Sequence, residues 1–200
     1  MQNPEHSLLS GEEIRAAGLV SNAQEHLYRA STYDFSAGAF IDSAGTITST
    51  YCLRPGGMVR VVSHEAVSVP DGITGHVLLK NALCTKGVLA LNIGVVDPGY
   101  IGPVSSTLIN FGRSIVDINQ GEPFLRISFH RCPSSPKSKK SAKWDELEYL
   151  RDIKLQVQAH SGPTFLNLDK ATSVALENAL GNLKANLIFW STMIGLVFAF

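Results

Sequence analysis

The chain has 200 residues, with 17 basic and 17 acidic side chains, so no global field draws it towards DNA or a membrane surface. Its three cysteines, Cys52, Cys84 and Cys132, lie far apart without Cys-x-x-Cys spacing. That argues against a zinc site and fits a reduced cytosolic compartment. The length suits one ordinary domain with an appendage.

The first seven residues are polar, so no signal peptide is expected there. Residues 8–14, LLSGEEI, predict a short helix ending near Gly18, with Ser10 as N-cap and Glu13 three residues on in capping-box spacing. From Tyr33 to Phe129 the chain is rich in short strand-like segments: 33–40, 46–52, 58–63, 65–69, 75–79, 88–91, 93–96, 103–110, 114–118 and 125–129. Gly- and Pro-bearing turns join them, among them Pro70-Asp71-Gly72 and Asp97-Pro98-Gly99. Close spacing of this kind predicts an all-β sandwich or barrel and not a βαβ fold. His64, His76 and His130 have no ligand-like spacing, so no metal site is expected of them.

Residues 88–111 hold one acidic side chain, Asp97, in a tight Pro-Gly turn between two apolar runs. Two readings stand. The carboxylate caps its own turn, as Asp before Pro-Gly commonly does, or it is placed for a ligand.

Residues 133–143, PSSPKSKKSAK, read as a linker. Its lysines form the one dense basic patch, and no nucleic-acid partner is expected. In residues 144–160, Trp144, Leu147, Leu150, Ile153 and Val157 recur at helical spacing, as in an amphipathic helix or a short coiled-coil seam. Ser161-Gly162-Pro163 ends it. A second helix is expected from Asp169, its N-cap, through Leu183. Residues 185–200, ANLIFWSTMIGLVFAF, carry no charge. This run is shorter than the roughly 20 residues of a membrane span. It reads as a truncated or tilted transmembrane segment, an interfacial anchor with Trp190 at headgroup level, or a buried trimerisation helix. Its apolar character all round favours membrane association. The expected organisation is a β domain over 1–132, a linker over 133–143, a helical stalk over 144–184 and an apolar tail over 185–200.

The ordered series of motifs resembles the dCTP deaminase branch of the dUTPase superfamily. Residues 8–14 resemble its opening LLS-x-x-x-I, and Thr32-Tyr33-Asp34-Phe35-Ser36-Ala37-Gly38 its S-Y-D-L-x-L-G strand. Residues 51–56, YCLRPG, resemble the turn before its central strands, and residues 65–70, EAVSVP, its E-x-v-x-l-P. Residues 95–102, VVDPGYIG, match x-I-D-P-G-(Y/W)-x-G, and Asn110 and Gly121 complete the pattern. The resemblance implies a distorted β-barrel, or jelly roll, forming a homotrimer with deoxynucleotide sites between subunits.

Deamination at C4 needs a carboxylate to shuttle protons. The resemblance puts it three residues before Asn110, where this chain has Thr107, whose hydroxyl is no general base near neutral pH. The family's R-S-S-L-A-R segment holds the triphosphate; here it is Lys80-Asn81-Ala82-Leu83-Cys84-Thr85. Lys80 keeps a charge without the arginine fork, and Asn81 keeps a polar group. The His-Arg pair before Ile-Asp is Gly94-Val95. In the dUTPase alternative, Asp97 activates water against the α-phosphate with Mg2+ on the phosphates. Tyr100 stands at the rim of the base pocket, Asn92 near the uracil-reading position, and Arg126 where a later Gln belongs. The Gly-rich lid has no counterpart.

The candidate site is therefore Asp97 as the catalytic position, with Lys80, Asn81, Asn92, Tyr100 and Arg126 as ligand contacts. The leading expectation is a catalytically degenerate, trimeric nucleotide-binding or sensing module, cytoplasmic and tethered to a membrane by its tail. The alternatives are an active dCTP deaminase or dUTP pyrophosphatase, with Mg2+ required only if it acts on a nucleoside triphosphate, and a structural trimerisation platform.

Overall fold

In the computed structural model, residues 7–91, 94–133, 144–165 and 168–197 are described. The chain divides into two compact units, Met1–Pro163 and Thr164–Phe200.

The first unit opens with α1 (Gly11–Ala16). The capping box is formed as expected: Ser10 Oγ accepts from the Glu13 amide, and the Glu13 carboxylate accepts from the Ser10 amide. Among the described residues eleven strands follow: β1 (Val20–Ser21), β2 (Tyr33–Ile41), β3 (Ile47–Thr48), β4 (Thr50–Leu53), β5 (Met58–Ser68), β6 (Ile73–Leu79), β7 (Val88–Ala90), β8 (Val95–Val96), β9 (Ile101–Asn110), β10 (Val116–Asn119) and β11 (Pro123–Arg131). The short helix α2 (Asn81–Cys84) lies between β6 and β7.

Pairing is antiparallel throughout, in the order β7-β9-β5-β2-β11-β6-β8, with β1 added to β5 and β3 to β2. β4 and β10 form a separate ribbon. The end strands β7 and β8 do not pair among the described residues, so the expected barrel is a curled half-barrel. Its core holds Tyr33, Phe35, Phe40, Phe124 and Phe129, all fully buried. Truncating one such phenylalanine to alanine costs about 3–5 kcal/mol.

Two expected segments are joined into one strand and another is split. Segments 58–63 and 65–69 form one strand, β5, with a bulge between Val62 and Ala66. Ser63 Oγ donates to the Glu65 carbonyl and accepts from the Val104 amide, so the strand kinks without leaving the sheet. Segment 46–52 splits at Ser49, because β3 pairs with β2 whereas β4 turns away to pair with β10.

The helix α3 (Glu146–His160) is capped by Asp145. It does not open a stalk. It packs on the β body through Ile153 and Val157, which meet Ile41 of β2 and Val62 of β5. Tyr149 and Leu150 complete the stripe, while Leu147, expected on the buried face, is 75% exposed. Residues 149, 150, 153 and 157 fall on one helical face, and position 147 points away from it.

In the second unit, α4 spans Leu168–Val197 as one helix, so Asp169 sits inside its first turn and not at a cap. It runs through the expected boundary between stalk and tail at 184/185. Side chains from 188 onward lie outside the described residues, and with them most of the apolar tail. Among the described residues no helix is long and apolar enough to cross a membrane. The linker 134–143 also lies outside them.

Candidate functional site

The expected site residues form two groups. The first centres on Asp34, the second residue of β2 and fully buried. Its carboxylate accepts from Lys80 Nζ at 2.6 Å, Arg126 Nε at 2.7 Å and Nη2 at 3.1 Å, and Arg29 Nε at 2.9 Å. Burial pushes the Asp34 carboxyl up. The hydrogen bonds from Arg126, then Lys80, then Arg29 outweigh it and hold the pKa at about 2. The same bond raises Arg126 above its ordinary value. Three cations on one carboxylate leave an excess positive charge, and Arg29 and Arg126 remain 46% and 38% exposed. Asn81 follows Lys80 at the start of α2 and is exposed.

The second group lies around the Asp97 turn. The turn is closed by main chain, the Tyr100 amide donating to the Asp97 carbonyl and the Gly99 amide to the Val69 carbonyl. Asp97 is exposed and lines a cleft of about 270 Å³ with Val77, Gly94, Tyr100, Ser105 and Tyr149. That volume is just below the range of about 300–1,000 Å³ usual for small-molecule sites. The Tyr100 hydroxyl donates to the Pro103 carbonyl. Burial, then the neighbouring Tyr149, pushes the Tyr100 phenol well above its ordinary pKa, so it stays a neutral donor. Asn92 lies outside the described residues.

The two groups are not brought together within one chain. In β11 and β6, Arg126 stands opposite Leu78, and Ile127 opposite Val77. Side chains alternate along a strand. Arg126 and its Asp34 partner therefore lie on one face of the sheet, and Val77 with the core on the other.

Thr107 lies in β9, opposite Arg60 of β5, and is 5% exposed. It faces α3, sharing a crevice of about 10 Å³ with Arg60, Ile41 and Val157. Arg60 Nε is buried there without a hydrogen-bond partner, and burial lowers the Arg60 pKa against a counter-pull from Tyr149. The position at which the resemblance puts the base thus holds a threonine and is roofed by a helix.

Sequence reasoning missed Asp34 and Arg29 as the centre and third arm of the cation cluster, and Ser105 and Tyr149 as cleft residues. One signal was legible: an acidic residue between Tyr33 and Phe35 in an otherwise apolar strand requires cationic partners if buried. Nothing local marked Tyr149, because its role depends on where α3 docks.

A dCTP deaminase of Pyrococcus horikoshii is 25% identical over 136 residues, 66% of this chain and 86% of that one. A dUMP-forming dCTP deaminase of Dictyoglomus thermophilum is 30% identical over 122 residues, 60% of this chain and 58% of that one. Among solved structures, the 2'-deoxycytidine 5'-triphosphate deaminase of Agrobacterium tumefaciens superposes with a TM-score of 0.54 at 12% identity. The match covers 64% of this chain and 49% of that one and is a likeness of fold alone. Residues 11–132, more than half the chain, match the dCTP deaminase-like family, and the chain belongs to it.

Proposed function

We propose that this protein binds a deoxynucleotide, a pyrimidine one by family, and does not deaminate it. The nucleoside end enters the cleft beside Asp97 and Tyr100. The phosphates meet the excess charge at Lys80, Arg126 and Arg29, with Asn81 alongside. The observation that carries this reading is a cleft without a carboxylate at position 107: Asp97 and Tyr100 line one cavity, whereas Thr107, ten residues beyond Asp97, is buried with only a hydroxyl. Without a carboxylate at that point, no group holds the proton that must move between water and the C4 amine.

The cleft and the cation cluster lie on opposite faces of the sheet, so a single ligand reaches both only where two copies meet. A homotrimer with the cleft of one copy facing the cluster of its neighbour satisfies this. Mg2+ enters only with a triphosphate. Asp97 offers one carboxylate, which suffices where phosphates supply most ligands. Among the described residues no group of three or more His, Cys, Asp or Glu would hold a metal alone. Tethering through residues 185–200 has no support among the described residues and forms no part of this reading.

The relatives named dCTP deaminase favour a second reading, residual turnover with Asp97 activating water. Titration calorimetry of the full chain with dCTP, dUTP and pyrophosphate tests the first. All three bind, and Arg126→Ala weakens each about equally, because each shares the phosphate contact. Absence of binding by all three contradicts it.

A further inference from the structure

Helix α3 lies outside the family-matched residues 11–132 yet belongs to the same compact unit as the β body. The body is shaped to receive it at both ends. A Cβ on Gly102, whose φ is +150°, would stand 3.0 Å from the Trp144 Cβ, and a Cβ on Gly45 would stand 2.7 Å from the Gln158 side chain. The Trp144 amide donates to the Ile101 carbonyl, Gln158 Nε2 to the Ala44 carbonyl, and the Met58 amide to the Pro163 carbonyl.

Between these ends α3 crosses a row of polar groups. Tyr149 Oη meets Ser105 Oγ at 2.9 Å and walls the cleft that Asp97 lines. Two residues further along β9, on the same face and roughly 7 Å away, comes Thr107 with Arg60 opposite it. Val157 covers them. The fit there is poor. An orphaned guanidinium N–H sits under an aliphatic roof, whereas buried donors are ordinarily paired. The grip is also slight, since Ile153 and Val157 are the buried hydrophobic residues of α3, while Leu147 and Leu155 face solvent. A permanent interface would satisfy Arg60; a removable cover leaves it for what enters when the cover lifts.

We propose that α3 is an intrachain plug: seated, it stops the cleft at Tyr149, and displaced, it lengthens the cleft along Ser105 and Thr107 to Arg60. This rests on the nucleotide-binding reading above. The lengthened cleft takes the base end of the nucleotide, and Arg60 supplies donors to its polar edge. Binding then competes with the seating of α3. The apparent dissociation constant of the intact chain equals the intrinsic one divided by the open fraction.

The test uses the full chain and its Ile153→Ser/Val157→Ser variant, titrated calorimetrically with dCTP and, separately, with pyrophosphate. The variant binds dCTP at least about tenfold more tightly than the wild type, which corresponds to an open fraction of about 0.1 or less in the wild type. Adding Arg60→Ala removes that gain, and pyrophosphate affinity is the same in all three chains. If the variant binds dCTP no more tightly while pyrophosphate binding holds, α3 is a fixed wall and the plug is wrong, with the nucleotide-binding reading intact. If neither ligand binds any chain, both fall. Should the double variant lose its β structure by circular dichroism, hydrogen exchange on the wild type decides. Amides of residues 147–160 exchange faster with dCTP bound if α3 is a plug; slower or unchanged exchange overturns it.

Discussion

Two carboxylates on the β body follow opposite rules. Asp34 is fully buried, accepts from three cations and has a pKa held at about 2. Asp97 is exposed at a turn that main-chain hydrogen bonds already close, and it lines the cleft. Both belong to motifs that resemble one family, yet the first organises charge and the second is left available for a ligand. A motif aspartate therefore reports ancestry; its surroundings decide whether it holds the fold or meets a substrate.

The sharpest way to break this contrast is Asp34→Ala, which leaves Arg29, Lys80 and Arg126 facing one another without their counter-charge. The expected cost is about 3–5 kcal/mol, read as a fall in the urea midpoint. The wild-type pH profile carries the same information. The Asp34 pKa is depressed from an ordinary 3.8 to about 2, so its stabilisation is complete above about pH 4 and is lost as pH falls through 2. The loss is on the order of 2 kcal/mol, and that segment of the profile flattens in Asp34→Ala.

Thr107→Glu comes next. The crevice beneath α3 has no room for a side chain two heavy atoms larger and ending in a carboxylate, so the substitution costs about 1–3 kcal/mol even with Arg60 opposite. Any ammonia it releases from dCTP is limited to the molecules in which α3 is displaced. Ammonia release by Thr107→Glu would show that the missing base alone had silenced the site. Arg126→Ala removes a two-point contact to Asp34 but leaves Lys80 and Arg29 in place. At 38% exposure its loss costs about 1–2 kcal/mol, measured by denaturant titration, and it weakens pyrophosphate binding. Asp97→Ala changes stability by no more than about 0.5 kcal/mol, as expected of an exposed side chain with no hydrogen bond to the fold among the described residues. An Asp97→Ala midpoint shift as large as that of Asp34→Ala would erase the distinction between the two carboxylates.

Much of the body was legible in the residues. Ser10 and Glu13 announced their capping box, and the Gly- and Pro-bearing turns marked most strands. What was hidden depended on distance along the chain. Lys80 and Arg126 come from separate segments, and only the register of β2, β11 and β6 brings them to Asp34, whereas Arg29 reaches it from the turn just before β2. The single strand β5 looked like two, because the bulge at Ser63–Glu65 interrupts its alternation. The apolar stripe of α3 announced a buried face, but no residue in it named Ile41 and Val62 as the partners. Thr107 could be singled out from its spacing to Asn110, but its burial under Val157 could not.

The central claim is that the protein binds a nucleotide and cleaves neither its amine nor its phosphates. The direct measurement is a single incubation of the full-length chain with dCTP and Mg2+, with ammonia and pyrophosphate followed over time and binding measured by calorimetry on the same preparation. The account predicts saturable binding with neither product formed. Ammonia or pyrophosphate released by the wild type and abolished in Asp97→Ala would contradict it.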